Sequence, residues 1–189
     1  LEQIQWISEI AFFCETTPSL DFDTKEEINI FEIHLDRLGI AFKKSDQIHF
    51  FIFVLQKNNS PQLFDLEQKN KDTLTPKIVF DQIGFLFENP SFRRVTFDAK
   101  KMQHIFLSEN RAFGEIHDDI LLKSYVLSSH EDTHLFKIAK KYLNLDLAIF
   151  AEKMDKLAVD LIALICLNPI LETQFVFAGQ EKLAKIYRE

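Results

Sequence analysis

Lys156 and Asp160 stand at i and i+4 in an apolar, helix-like stretch, so an ammonium and a carboxylate can meet on one helix face. Solvated charges on a surface helix are the plainer alternative. Cys14 closes the apolar run Ile10-Ala11-Phe12-Phe13, either as a reactive thiol or as a small apolar residue at a strand end. Asp118-Asp119 is an acidic pair ahead of an apolar helical pattern, which suits helix capping at least as well as a cation. Asp98 precedes another such pattern and reads the same way. His130-x-x-x-His134 has a spacing that zinc could use, but it straddles a helix start. Arg93-Arg94 and Lys100-Lys101 could touch phosphate, with solvated charge as the default. Phe22-Asp23-Thr24-Lys25-Glu26 imitates an acidic strand end, yet the loop-like Pro18-Ser19-Leu20-Asp21 before it supplies no strand.

The elements that would position these groups belong to a chain of 189 residues with 47% apolar and 27% charged content, enough for one domain with a sizeable core. It carries 22 Lys+Arg against 29 Asp+Glu, and a net charge of −7 argues against unaided grip on nucleic acid. Four glycines against twenty phenylalanines leave no Gly-rich phosphate-cradling loop. Cys14 and Cys166 are too few and too far apart for a disulfide framework or zinc cluster, and suit a reducing, cytoplasmic compartment. No run approaches the roughly 18 consecutive apolar residues of a membrane span, so no membrane partner is expected. With Leu1 first and no secretory leader visible, the sequence reads as a piece of a longer protein.

Apolar patterning predicts a buried strand at 10–14, a second strand within 28–42, a turn at Lys43-Lys44-Ser45-Asp46 and a third strand at 49–55, the last two as a hairpin. Residues 57–72 read as a surface loop. From Thr75-Pro76 the period becomes helical, with Ile78, Val79, Ile83, Leu86 and Phe87 on one face and Asn89-Pro90 as the stop. A short strand at 94–97 precedes a helix capped by Asp98 and carrying Met102, Ile105, Phe106 and Leu107. Further helices begin near Asp119, Asp132 and Lys153. The last of them ends by Asn168-Pro169, and Leu171 to Arg188 forms one more. The class is α/β: a mixed sheet with a front antiparallel hairpin, covered by helices.

That order is similar to the ribonuclease-H-like exonuclease fold, and local sequence agrees. Ala11 to Leu20 (AFFCETTPSL) resembles the first exonuclease motif of bacterial DNA polymerase I, a phenylalanine followed by Asp-x-Glu. Val95 to Met102 (VTFDAKKM) resembles the second, a strand and then Asn-x-Lys-x-Asp opening a helix. Asp119 to Leu127 (DILLKSYVL) matches the stretch in which an Asp precedes a helix ending Ser-Tyr-Ile-Leu, and Leu135 to Leu143 is similar to the segment after it. Lys156 to Asp160 lies where Tyr-x-x-x-Asp belongs. The resemblance runs in order over roughly residues 8 to 170.

It implies a 3′–5′ exonuclease (proofreading) domain of a family A polymerase over residues 1–170, with 171–189 as a helix leading toward a polymerase domain. DNA would be reached through that parent chain, alongside its polymerase and 5′ nuclease domains. Such exonucleases use two divalent metals about 3.5–4 Å apart, held chiefly by carboxylates. Here the resemblance places the first acid on Cys14, the second on Thr16, the third on Met102 and the fourth on Asp160, with Lys156 in the slot of the water-orienting tyrosine. Sulfur donors barely bind Mg²⁺. A degenerate domain without cofactor is therefore expected. The alternatives are an active Mg²⁺- or Mn²⁺-dependent exonuclease with a rearranged acid set, Glu15, Asp98 and Asp160, in which a bulge aims Glu15 inward, and a protein-interaction module on the same fold.

Overall fold

The computed structural model describes residues 8–17, 33–56, 74–128 and 134–178. Phe22 to Glu26, the 57–72 loop, His130 and the part of the last helix beyond 178 lie outside them. Three strands open the fold: β1 (Glu9–Thr17), β2 (His34–Lys44) and β3 (Gln47–Val54). β2 and β3 form the expected hairpin about Ser45-Asp46, and β1 pairs antiparallel with β2. β4 (Arg93–Thr96) and the two-residue β5 (Asp118–Asp119) add in parallel, giving the sheet order β3-β2-β1-β4-β5. This mixed sheet with helices on both faces is the ribonuclease-H-like arrangement.

Strand alternation divides the core into two layers. Phe12 and Cys14 of β1 and Leu38 and Ile40 of β2 face α1 (Pro76–Ile83), α2 (Phe85–Glu88) and α3 (Ala99–Ser108). Phe12, Phe80, Phe87, Phe106 and Phe113 meet there with ring centroids 4.4–6.2 Å apart. Ala11 and Phe13 face the opposite layer, built from α4 (Ile120–Leu127), α5 (Leu135–Leu143), α6 (Leu147–Ala151) and α7 (Lys156–Phe177). α7 crosses β2 at Gly39, where an added Cβ would stand 2.7 Å from Leu161 Cδ1, so the glycine is required by close packing.

Several expectations are corrected. β1 continues through Cys14 to Thr17 because Glu15 to Thr17 still pair with β2. The helix from Pro76 is interrupted at Gly84, where Phe87 N–H turns to the Gly84 carbonyl, and Ile78 faces solvent while Val79, Phe80 and Phe87 are buried. Leu107, expected on the inner face of α3, is exposed. α6 was not anticipated, although Asp146 caps it through Ala148 N–H and an apolar run follows.

The largest correction concerns α7. Asn168-Pro169 does not end it: the helix runs to Phe177, and the expected domain boundary at 170/171 falls inside it. A proline inside a helix removes one backbone bond. Here Pro169 sits on the exposed side while Leu167, Asn168, Leu171 and Phe175 are buried, so burial carries the helix through. The continuous helix is long and apolar enough to cross a membrane by length and composition, contrary to expectation, but 56% of the qualifying window is buried against the fold, the setting of a core helix.

Candidate functional site

β1 and the first turns of α7 meet on the face that also holds α5. Asp155 caps α7 through Leu157 N–H at 2.9 Å, which fixes the helix start above the sheet. One turn on, the Asp160 carboxylate is 3% exposed and lies 3.3 Å from Lys156 Nζ, while the lysine itself is 62% exposed. Burial pushes the Asp160 carboxyl above the usual range, and Lys156 only partly offsets it. The neighbouring charges of Glu15 and Asp155 push in the same direction as burial.

Beside Asp160 opens a cavity of about 420 Å³, lined by Phe13 of β1, Phe97 after β4, His134, Phe136 and Lys137 at the start of α5, and Lys156 with Asp160 of α7. Its walls are mostly aromatic and aliphatic, with cationic groups at the α5 and α7 starts. Next to it, Arg37 of β2 ties two acids together. Its Nη1 donates to Glu15 Oε2 at 2.9 Å, and its Nη2 to Asp155. The β1–β2 ladder shifts register between Glu15 and Thr16, a bulge that re-aims the strand here.

The expected site residues do not converge. Cys14 and Met102 are fully buried in the α1–α3 layer, across the sheet from α7. Burial pushes the Cys14 thiol up, which removes it as a nucleophile. Thr16 lies past the bulge, opposite Leu35. Because strand neighbours face opposite sides, the residues of β1 directed toward Asp160 are Phe13 and Glu15. Cys14 and Thr16 alternate with them and do not share that face.

The rearranged acid set is not assembled either. The Asp98 side chain accepts from Lys101 N–H at 3.1 Å and caps α3 with a left-handed backbone (φ 59°). Asp119 accepts from the amides of Asp98, Ala99, Leu121 and Leu122, so one carboxylate serves the starts of α3 and α4. Among the described residues, no three of His, Cys, Asp and Glu are grouped to hold a metal ion.

A second ionic cluster went unrecognised in the sequence. Asp118, taken for a cap, is buried and paired with Arg93 and Lys123. Lys123 also donates to Asn168 Oδ1 at 2.7 Å, Asn168 Nδ2 to Glu9 at 3.0 Å, and Arg93 Nη2 to Glu172 at 2.7 Å. Burial works against the Asp118 anion, but Arg93 and Lys123 hold its pKa down to about 2. Arg93 and Lys123 are thus structural cations. Arg94 is buried too, donating to the carbonyls of Glu115 and Asn89 rather than facing phosphate.

No family model matches the sequence, and no curated protein does. Solved structures do resemble it. The POL domain of Pol1 from M. smegmatis, in complex with DNA primer-template and dNTP, superposes with a TM-score of 0.69 at 14% identity, over 97% of this chain and 27% of that one. A structure described as the apo form of the nuclease gives a TM-score of 0.62 at 11% identity, over 97% of this chain and 80% of that one. This chain therefore spans about a quarter of the polymerase chain and most of the nuclease. At such identities the likeness establishes a fold: the chain is built on an architecture found both in a nuclease and within a DNA polymerase chain.

Proposed function

We propose that this chain is a vestigial 3′–5′ exonuclease domain of a bacterial family A DNA polymerase, retained as a structural module and without nuclease activity of its own. The observation that carries this reading is the charge arrangement around Asp160. Phe13 fills the slot where an aspartate would face it, Glu15 is engaged by Arg37, and Asp160 is paired with Lys156. Two-metal hydrolysis needs oxygen donors free to bridge a pair of ions. Here the acids have protein cations as partners and Phe13 lines the cavity beside Asp160, so the donor set does not fit two magnesium ions.

The structural role follows from what the cations do. Arg37 joins β1, β2 and the cap of α7 in one chain of charge, and Lys156 neutralises a carboxylate that burial would otherwise leave unpaired. The old metal site becomes a salt-bridged junction. DNA would reach such a domain through its parent chain, as the primer-template bound by the polymerase relative suggests, and the net charge of −7 suits a module that does not bind it unaided. A cytoplasmic location accompanies this reading.

The test is digestion of a 3′-terminal single strand in Mg²⁺ and in Mn²⁺. The strand should stay intact in both. Trimming from the 3′ end that disappears in Asp160→Ala would instead establish an active enzyme with a rearranged site.

A further inference from the structure

We infer that Pro169 divides α7 into two units that open independently, and that the Arg93–Glu172 ion pair latches the outer one. Pro169 has no amide hydrogen, so the Ile165 carbonyl receives no ladder bond at that turn. One turn later the Thr173 hydroxyl donates to the Pro169 carbonyl at 2.8 Å, a back-bond that competes with the helix ladder. Two successive turns of the same helix are thus weakened at one level. Pro169 also sits on the exposed side of the helix.

The two sides of that level are held very differently. On the inner side, Leu157, Leu161, Leu164 and Leu167 are fully buried. Asn168 is pinned by Lys123 and Glu9, so the inner unit ends in a buried polar anchor. On the outer side Leu171 and Phe175 are buried, while Thr173, Gln174, Val176 and Phe177 face solvent. Among the described residues, Glu172 ties that side to Arg93 at 2.7 Å, with side chains 39% and 32% exposed. Arg93 is shared with Asp118 and Glu9, which stay with the sheet when the outer unit leaves. Opening therefore breaks the half-exposed Arg93–Glu172 pair and uncovers Leu171 and Phe175, while Asp118 and Glu9 remain on Arg93.

Native-state amide hydrogen exchange on the whole chain tests this. Amides of 170–177 should exchange faster than those of 157–168, with a step at Pro169. Glu172→Gln should speed the outer unit by roughly two- to fivefold, the loss expected of a half-exposed pair, and leave the inner unit unchanged. Pro169→Ala restores the missing donor and should slow exchange of the outer unit toward that of the inner. Uniform protection across 157–177, or equal acceleration of both units in Glu172→Gln, would overturn the inference. An outer unit unaffected by Pro169→Ala would reduce it to ordinary fraying and overturn it equally.

Discussion

Asp160 keeps its carboxylate out of water with Lys156 as its ion-pair partner, and the pair is unequal: the acid is buried and the base largely exposed. Removing an exposed lysine usually costs little, but this one leaves a buried anion uncompensated. Lys156→Ala should therefore destabilise the fold by about 1–2 kcal/mol, below the full cost of breaking a buried pair. Adding Asp160→Asn should recover much of the loss, and urea unfolding midpoints of both variants check it. Equal stability of Lys156→Ala and the parent chain would make the pair a surface ornament. This contact was legible in the sequence because i,i+4 spacing on a helix fixes the geometry. The Arg37 bridge was not. It depends on the pairing of Glu15 with Arg37 across two strands and on a bulge, and neither leaves a local pattern.

Between elements, the decisive approach is α7 on β2 at Gly39. Gly39→Ala would drive a methyl into Leu161 and Leu157, and overpacking of this kind costs about 1–3 kcal/mol. The loss should show as a lower melting temperature, and the far-ultraviolet spectrum should not change, since the strand itself tolerates alanine. An unchanged melting temperature would mean that α7 can shift outward freely. At this scale the sequence was informative about strands and helix starts, where apolar alternation and Asp98, Asp119 and Thr75 caps act locally. It misled at Pro169, because local propensity favoured a stop while buried Leu171 and Phe175 outweighed it. It left open which β1 residues face α7 for a similar reason: a run of apolar residues with no polar alternation leaves the inward face undecided until the helix is packed.

The molecule as a whole carries buried carboxyls with opposite responses to acid. Asp118 titrates near 2 in the fold and near 3.8 when unfolded, so its contribution is complete above about pH 4 and is lost as pH falls through about 2, roughly 2 kcal/mol in all. Glu9, Asp119 and Asp160 are shifted upward by burial, so each withdraws stability as pH rises beyond its ordinary value. The Asp118 contribution should make stability climb between about pH 2 and 4, and the carboxyls raised by burial should draw it down as pH rises further. In Asp118→Asn the acid limb of that climb should shrink, as urea midpoints across the pH range would show. A variant with an unaltered acid limb would remove Asp118 from the account. The proposed function rests on an interior in which Phe13 and Lys156 stand beside Asp160 and Arg37 engages Glu15. Calorimetric titration of the chain with Mn²⁺ near neutral pH addresses that directly. No saturable heat should appear at millimolar ion, whereas two ions binding with an affinity that Asp160→Ala abolishes would contradict it.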